Sequence, residues 1–261
     1  ESRVKIMKEE GEKRSIFNDK SGQITIFIII AVVVVPMGVL IYIFYPQISS
    51  TLGGEEQNPN AFIQTCIEDE IKSTVDIVSL QGGSIEPEGY IQYKNENIKF
   101  LCYSSEDYKF CAVQQPLLVQ HIESEIKNAI ESKVRDCFSQ LNSSLESRGY
   151  DITLREGTIN LELLPNKIQA IFSYTLALDR SGETQRYESF IANVDNNLYE
   201  LVSIAESIVE FESTYGDAET TLYMSYYSWL KVEKTTLGDG STIYVLTDRN
   251  TGDIFQFASR S

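Results

Sequence analysis

Hydrophobic residues follow three different patterns along this chain. The first is an unbroken apolar run over residues 24–45, ITIFIIIAVVVVPMGVLIYIFY, which contains no charged residue. The second is a helical repeat, in which apolar residues recur every three or four positions, over residues 61–83, 115–148 and 198–211. The third is the dense or alternating pattern of short strands. Together these patterns predict a membrane helix followed by an α+β domain.

The apolar run predicts a transmembrane helix, because about 20 consecutive apolar residues are needed to cross a bilayer. Six Lys and Arg residues precede the run and none follows it before Lys72, which predicts a cytoplasmic N-terminus in the plasma membrane. A cleaved secretory signal is the alternative, although the run is longer than the apolar part of a typical signal. We therefore expect a cytoplasmic tail at 1–23, a single transmembrane helix at 24–45, a linker at 46–60 and an extracytoplasmic α+β domain at 61–261.

Strand patterns occupy three parts of the predicted domain. Short strands are expected at 90–93 and 98–103, before the helix at 115–148. Four further strands, separated by short turns, predict an antiparallel meander at 151–155, 158–164, 167–178 and 185–194. A tyrosine-rich segment at 218–230 precedes three C-terminal strands. The expected fold class is α+β, with the N-terminal transmembrane helix followed by an antiparallel sheet packed with amphipathic helices on one face.

The chain has four cysteines, and all of them follow the apolar run. An even number on the outer side of a membrane indicates disulfides. A structural zinc site is disfavoured, because there is no C-x-x-C pair and His121 is the single histidine. Four cysteines allow three pairings. Our hypothesis pairs Cys66 with Cys137, joining the inward stripes of two helices, and Cys102 with Cys111, closing a local hairpin.

The predicted outer part is strongly acidic. After residue 45 the chain carries 16 Lys and Arg against 33 Asp and Glu, so we do not expect nucleic acid as a partner. The chain contains no P-loop, G-x-G-x-x-G or H-E-x-x-H sequence, and we expect no cofactor and no metal. His121 lies beside the core position Ile122 in a periodic helix, which predicts a helix-surface residue rather than a catalytic base.

An acidic and aromatic segment is the candidate ligand-binding region. It contains Asp217, Glu219, Tyr223 and Trp229. Carboxylates beside aromatic rings suit carbohydrate or cation binding. The alternative, which we favour, is a helix flank whose rings pack on the sheet.

Two further motifs have simple interpretations. The segment 248–253, DRNTGD, has the composition of a calcium loop, but it lacks the further acidic ligand of an EF-hand, and a turn explains it equally well. Asn142-Ser143-Ser144 is a glycosylation sequon, which makes Asn142 a candidate modification site within a helix.

The apolar run opens with Gly22 and Gln23 in the segment KSGQITIF. This segment resembles the class III signals of archaeal prepilin-like proteins, in which a peptidase cuts between Gly and Gln. The resemblance implies processing at Gly22–Gln23 and a pilin-like subunit. An uncleaved anchor is the alternative, and the residues alone favour it. Prepilin-like subunits usually carry a glutamate where this chain has Phe27, which argues against the usual filament register.

The chain as a whole resembles uncharacterised membrane-anchored extracytoplasmic proteins of small-genome archaea that begin with a GQITIF-type helix. That resemblance implies a location and no particular activity. The leading hypothesis is a non-enzymatic cell-surface protein with a disulfide-containing domain for interaction, adhesion or envelope assembly. Its partners would be the membrane and copies of itself or other envelope proteins. The rival hypothesis is an extracytoplasmic hydrolase that acts on surface glycans through two carboxylates.

Overall fold

The computed structural model describes residues 58–106 and 109–261. The predicted transmembrane helix at 24–45, most of the predicted linker and the candidate processing site at Gly22–Gln23 lie outside these residues. No helix within the described ranges is long and apolar enough to cross a membrane.

The described residues form four helices and twelve strands. The helices are α1 (Pro59–Leu80), α2 (Leu118–Ser147), α3 (Leu198–Tyr215) and α4 (Thr220–Tyr226). The strands are β1 (Tyr90–Tyr93), β2 (Glu96–Tyr103), β3 (Ala112–Val113), β4 (Asp151–Arg155), β5 (Ile159–Leu164), β6 (Lys167–Phe172), β7 (Thr175–Arg180), β8 (Glu183–Tyr187), β9 (Phe190–Asp195), β10 (Leu230–Thr236), β11 (Ser241–Asp248) and β12 (Ile254–Arg260).

Local signals in the sequence fix both ends of helix α1. The side chain of Asn58 accepts a backbone N–H of the first turn, and Pro59 occupies the first helical position, where its missing N–H costs nothing. At the other end, the N–H of Gly83 donates to the carbonyl of Val78 at 2.8 Å, which is a Schellman closure. Helix α1 therefore includes the last two residues of the linker predicted at 46–60.

The C-terminal strands form the larger sheet together with the first strands. Its order is β1-β2-β12-β11-β10, and β3 lies beside β2. Strands β10, β11 and β12 form the three-stranded antiparallel arrangement that the turn signals predict. Strand β12 also pairs with β2, and this pair is parallel, with Phe100 opposite Ala258. The sheet is therefore mixed, whereas the sequence pattern predicted an antiparallel one.

The predicted four-stranded meander is wrong in its strand count. The runs 167–178 and 185–194 each break into two strands, and six strands form two antiparallel sheets, β4-β7-β8 and β5-β6-β9. The strands of the predicted meander are interrupted at one level across the sheet, next to Gly157. A Cβ atom on Gly157 would lie 1.9 Å from the carbonyl oxygen of Ser173, so only glycine lets the two backbones approach this closely.

The helices share one hydrophobic core with the sheets. Helix α1 contacts β9 and β12, and helix α3 contacts β12 and β5, so helices contact more than one sheet. The fold class α+β is confirmed, but three sheets replace the single sheet with helices on one face. A second, small cluster around Ile98, Ile243 and Ala258 involves the alternate side chains of the larger sheet.

Both disulfides reinforce this core. Cys66 of α1 is bonded to Cys137 of α2, with a Cα–Cα distance of 5.9 Å. Cys102 of β2 is bonded to Cys111, with a Cα–Cα distance of 5.3 Å. This is the pairing that the helix stripes and the local hairpin predict. All four sulfur atoms are used in these bonds, so none of them is available as a zinc ligand.

Candidate interaction surface

Apolar side chains are concentrated on one part of the surface, around helices α3 and α4. The described part of the chain exposes ten large apolar side chains. Six of them belong to these helices or to the segment that precedes α2, namely Phe110, Val113, Leu117, Tyr215, Leu222 and Tyr226. We call this region the α3–α4 surface. Clusters of exposed apolar groups on a soluble domain are typical of binding sites.

One side of α3 forms a groove with the segment before α2, which we call the loop groove. Glu206, Val209 and Glu210 line it from the helix, and Val113 and Leu117 line it from the opposite wall. The groove has a volume of about 170 Å³, which is smaller than typical ligand pockets of about 300–1,000 Å³ and suits individual side chains of a partner. Apolar side chains thus line both walls, and the two carboxylates lie on the helix wall.

Leu117 is the most unusual residue of the loop groove. It immediately precedes α2 in the left-handed conformation, with φ 55° and ψ 52°, and 71% of its surface is exposed. This conformation costs a residue with a Cβ atom about 1–2 kcal/mol. A leucine that is both strained and exposed gains little from packing, so its position is better explained by a role at the surface.

The other side of α3 forms the aromatic groove. It is lined by Phe211 of α3, by Glu219, Leu222, Tyr223 and Tyr226 of the α4 region, and by Tyr227. Tyr226 and Leu222 are 81% and 66% exposed. The rings of Tyr226 and Tyr227 meet edge to face at 4.8 Å, and Tyr223 is hydrogen-bonded to Ser207 of α3 at 3.0 Å. Contacts between neighbouring rings therefore fix the aromatic side chains that line this groove at the protein surface.

Aromatic rings lie around the C-terminal end of α3. The rings of Phe211 and Tyr215 lie 5.0 Å apart. Next to them, the ring of Phe110 lies within van der Waals distance of a Cβ atom placed on Gly216. Phe110 directly precedes Cys111, so the short disulfide loop holds this ring near the helix end. Exposed rings are therefore also present at the C-terminal end of α3, the helix that lines both grooves.

The charges lining both grooves are negative. Glu206 and Glu210 line the loop groove and Glu219 lines the aromatic groove. Glu206 accepts a hydrogen bond from the backbone N–H of Leu118. Glu219 accepts two hydrogen bonds from Thr221 and caps α4, and these bonds lower the pKa of the Glu219 carboxyl below its usual value. The Glu219 carboxylate is therefore ionised at neutral pH.

A buried carboxylate fixes the end of α3 on which this surface depends. Glu212 is 4% exposed and accepts hydrogen bonds from the phenol of Tyr244, the hydroxyl of Ser259 and the N–H of Ala218. The ammonium of Lys234 lies 3.8 Å from it. Burial, together with this hydrogen bond, raises the pKa of Tyr244, so the phenol remains a donor. A buried charge with this many partners holds its helix firmly on the sheet.

The structure brings together two of the four residues that the sequence proposed for ligand binding. Glu219 and Tyr223 both line the aromatic groove. Asp217 forms an ion pair with Lys234 instead. Trp229 is partly buried against the core, and its ring lies 5.7 Å from that of Tyr227. The aromatic groove thus has one acid among its lining residues, whereas a glycosidase mechanism needs two.

Sequence reasoning missed the loop half of the α3–α4 surface. Phe110 and Val113 lie between the strand predicted at 98–103 and the helix predicted at 115–148, and Leu117 falls inside that predicted helix although α2 begins only at Leu118, so no pattern marked the three as a group. The available signal was composition, because polar loops seldom contain so many large apolar residues close together.

His121 belongs to a polar cluster, which corrects its prediction as a helix-surface residue. It is half-buried, and its Nε2 atom lies 2.7 Å from the hydroxyl of Ser84. The buried Lys99 donates to Ser84 at 3.0 Å and to Gln115 at 2.8 Å. Burial lowers the pKa of His121, the nearby Lys99 cation lowers it further, and Glu125 partly opposes both effects. Burial also lowers the pKa of Lys99.

This polar cluster joins three elements and has little access to solvent. Ser84 follows α1, Lys99 lies in β2 and His121 lies in the first turn of α2. A serine hydroxyl beside a neutral histidine is a pattern of activated nucleophiles. However, Ser84 is 3% exposed, so a substrate could not approach it without movement of the backbone. The arrangement therefore serves to satisfy buried polar groups.

The acidic loop 248–253 has a structural role. In the loop 248–253, the Asp248 carboxylate accepts the N–H of Asn250 and the side chain of Asn197, and Asp253 accepts hydrogen bonds from Asn196 and Asn197. These contacts describe a turn. No group of three or more His, Cys, Asp or Glu residues in the described ranges could hold a metal ion. The amide of Asn142 donates to Glu146 within α2.

Comparisons of the chain with protein-family models, curated proteins and solved structures give no match.

Proposed function

We propose that this chain is a single-pass protein of the cell surface whose outer domain binds another envelope component through the α3–α4 surface. The N-terminus would be cytoplasmic and the domain extracytoplasmic. The observation that carries this proposal is the concentration of exposed apolar side chains around two grooves on helix α3 and at its C-terminal end. Such surfaces are typical of sites for interaction, adhesion or assembly.

Two further features support the proposed location. The apolar run at 24–45, with basic residues before it, would anchor the domain to the membrane. The two disulfides suit an oxidising compartment outside the cytoplasm. A hydrolase acting on surface glycans would instead need a second carboxylate facing Glu219, and the aromatic groove does not provide one among its lining residues.

Photo-crosslinking in intact cells tests this proposal. A benzophenone amino acid placed at Tyr226 or at Leu117 should give an adduct of higher mass with the same partner. The matched control is Tyr90, a tyrosine of β1 that is also exposed but lies outside the α3–α4 surface. The proposal fails if Tyr226 and Leu117 give no adduct, or if Tyr90 gives the same adduct with equal yield.

A pilin-like version of the proposal adds processing between Gly22 and Gln23. Replacing Gly22 with a bulky residue should then block cleavage and leave a longer mature chain. The measurement is the intact mass of the protein purified from its own membranes. A change in mass equal only to that of the substituted side chain would eliminate the processed version while leaving the anchored interaction protein in place.

A further inference from the structure

The α3–α4 surface also indicates what kind of partner it binds. We propose that it binds a segment of a second protein in which apolar side chains are flanked by Lys or Arg. This inference rests on the function proposed above and adds the chemistry of the partner. Three properties of the surface carry it, namely its charge, the chemical type of its exposed side chains and its length.

The charge of the grooves favours a basic partner. Glu206 and Glu210 project from one face of α3 into the loop groove, one helical turn apart, and Glu219 lies in the aromatic groove. Among the described residues that line the two grooves, none is Lys or Arg. A partner with Lys or Arg beside its apolar side chains would place a positive charge opposite each of these carboxylates.

The same charge argues against a second copy of this chain. The net charge of the chain is −16, and the part after residue 45 carries 33 acidic against 16 basic residues. Two such domains would bring like charges together at the grooves, which raises the free energy of the complex. The six basic residues of the tail at 1–23 would lie on the opposite side of the membrane. The partner is therefore a different protein.

The chemical type of the exposed side chains favours a protein segment over a glycan. Sugars bind on the faces of aromatic rings, but two of the most exposed groups here are the aliphatic side chains of Leu117 and Leu222. Aliphatic groups gain free energy by contact with other apolar groups, and a sugar offers mainly hydroxyl groups. Tyr226 and Tyr215 would add large apolar area at a low cost in side-chain entropy.

The length of the surface sets the size of the segment. Helix α3 contributes to it from Glu206 to Tyr215, and nine residues of helix rise span about 14 Å. A partner helix of about two to three turns, or about four extended residues, covers this distance. Short segments of this kind bind through a few apolar anchors that enter adjacent pockets.

Selection of peptides from a random library tests the proposal. The full chain in lipid nanodiscs is exposed to displayed random 12-residue peptides, and empty nanodiscs remove peptides that bind lipid. Recovered peptides should combine aliphatic or aromatic residues with Lys or Arg. Recovery of acidic peptides, or no enrichment over empty nanodiscs, would overturn the inference.

Matched variants show whether the recovered peptides use this surface. Tyr226→Ser and Leu222→Ser should weaken binding at least about tenfold, because exposed anchors dominate such interfaces. Tyr90→Ser, which removes an exposed tyrosine outside this surface, should leave affinity unchanged. Glu210→Gln should weaken binding about threefold in low salt and make it less dependent on salt. Equal binding by Tyr226→Ser and the unmodified chain would contradict the inference.

The outcome can be separated from that of the proposed function. If crosslinks form at Tyr226 and Leu117 in cells but the peptides are acidic, or the adduct is a glycan, the surface binds a partner and the inferred chemistry is wrong. If neither position forms crosslinks, the proposed function itself is wrong.

Discussion

The two disulfides should differ in how much they stabilise the domain. A disulfide restricts the unfolded chain more when it closes a longer loop. Cys66 and Cys137 are 71 residues apart, whereas Cys102 and Cys111 are 9 residues apart. The chain-entropy relation gives about 4.4 kcal/mol for the long loop and about 2.6 kcal/mol for the short one at 25 °C. We therefore expect C66A/C137A to lose about 2 kcal/mol more than C102A/C111A.

Packing differences should not reverse this order. Cys102, Cys111 and Cys137 are almost completely buried, and Cys66 is partly buried, so the two alanine pairs leave cavities of similar size, and the slightly larger one at Cys102/Cys111 reduces the expected difference without removing it. The assay is guanidinium unfolding of the fragment 58–261, which contains the whole described core. Equal losses, or a larger loss for C102A/C111A, would refute the reasoning from loop length.

Three further changes give separate predictions. His121→Gln keeps a hydrogen-bond acceptor for Ser84 but removes the titratable imidazole. As the pH falls from about 7 to 5, the unmodified domain should therefore lose stability relative to this variant. Parallel profiles of unfolding free energy against pH would contradict this. The unfolded chain takes up a proton there that the low pKa of His121 keeps off the folded one. Gly157→Ala should lower the free energy of unfolding by about 2–3 kcal/mol in chemical unfolding. Gly238→Ala, where an added Cβ atom meets no other atom, should be nearly neutral. Equal losses for the two variants would contradict the explanation by close backbone approach. Leu117→Asn should raise the melting temperature, because asparagine tolerates the left-handed conformation of this residue. The same variant should reduce crosslinking at Tyr226. A lower melting temperature would contradict the presence of strain at Leu117.

The helices and the disulfides were predictable because their signals are local. In α2, for example, apolar residues recur at every turn from Leu118 to Leu145, and each of the buried positions follows that period. Cys137 lies on the same stripe, so its direction toward the core followed from spacing alone. The pairing with Cys66 then required only that two inward stripes face each other.

The breaks in the long strands could not be predicted in this way. The run 167–178 has a continuous strand pattern, and its break depends on how Gly157, in the connection between β4 and β5, approaches Ser173. The parallel pairing of β12 with β2 is likewise a contact between distant parts of the chain, and no local pattern records which strands become neighbours.

The candidate surface was half predictable for a similar reason. Tyr223 and Glu219 stood out as an aromatic and acidic cluster within one segment. Leu117 joins them only because the segment before α2 packs against α3. His121 was misplaced because its burial comes from Ser84 and Lys99, which belong to other elements and leave no trace in the period of its own helix.

The parallel pairing of β2 with β12 also affects how the domain is made. The pairing partner of Phe100 is Ala258, which is synthesised only after the intervening chain. At about 5–20 residues per second, the delay between the synthesis of these two residues is on the order of 10 s or more. During that time β2 presents an open edge that can pair with a neighbouring nascent chain. The bond between Cys102 and Cys111 closes only a short stretch, so it can form early and fold β3 back along β2. Cys102 pairs with Val113 of β3 on one edge of β2 and with Ser259 of β12 on the other, so early closure of this bond covers one edge and leaves only the edge that later receives β12 open.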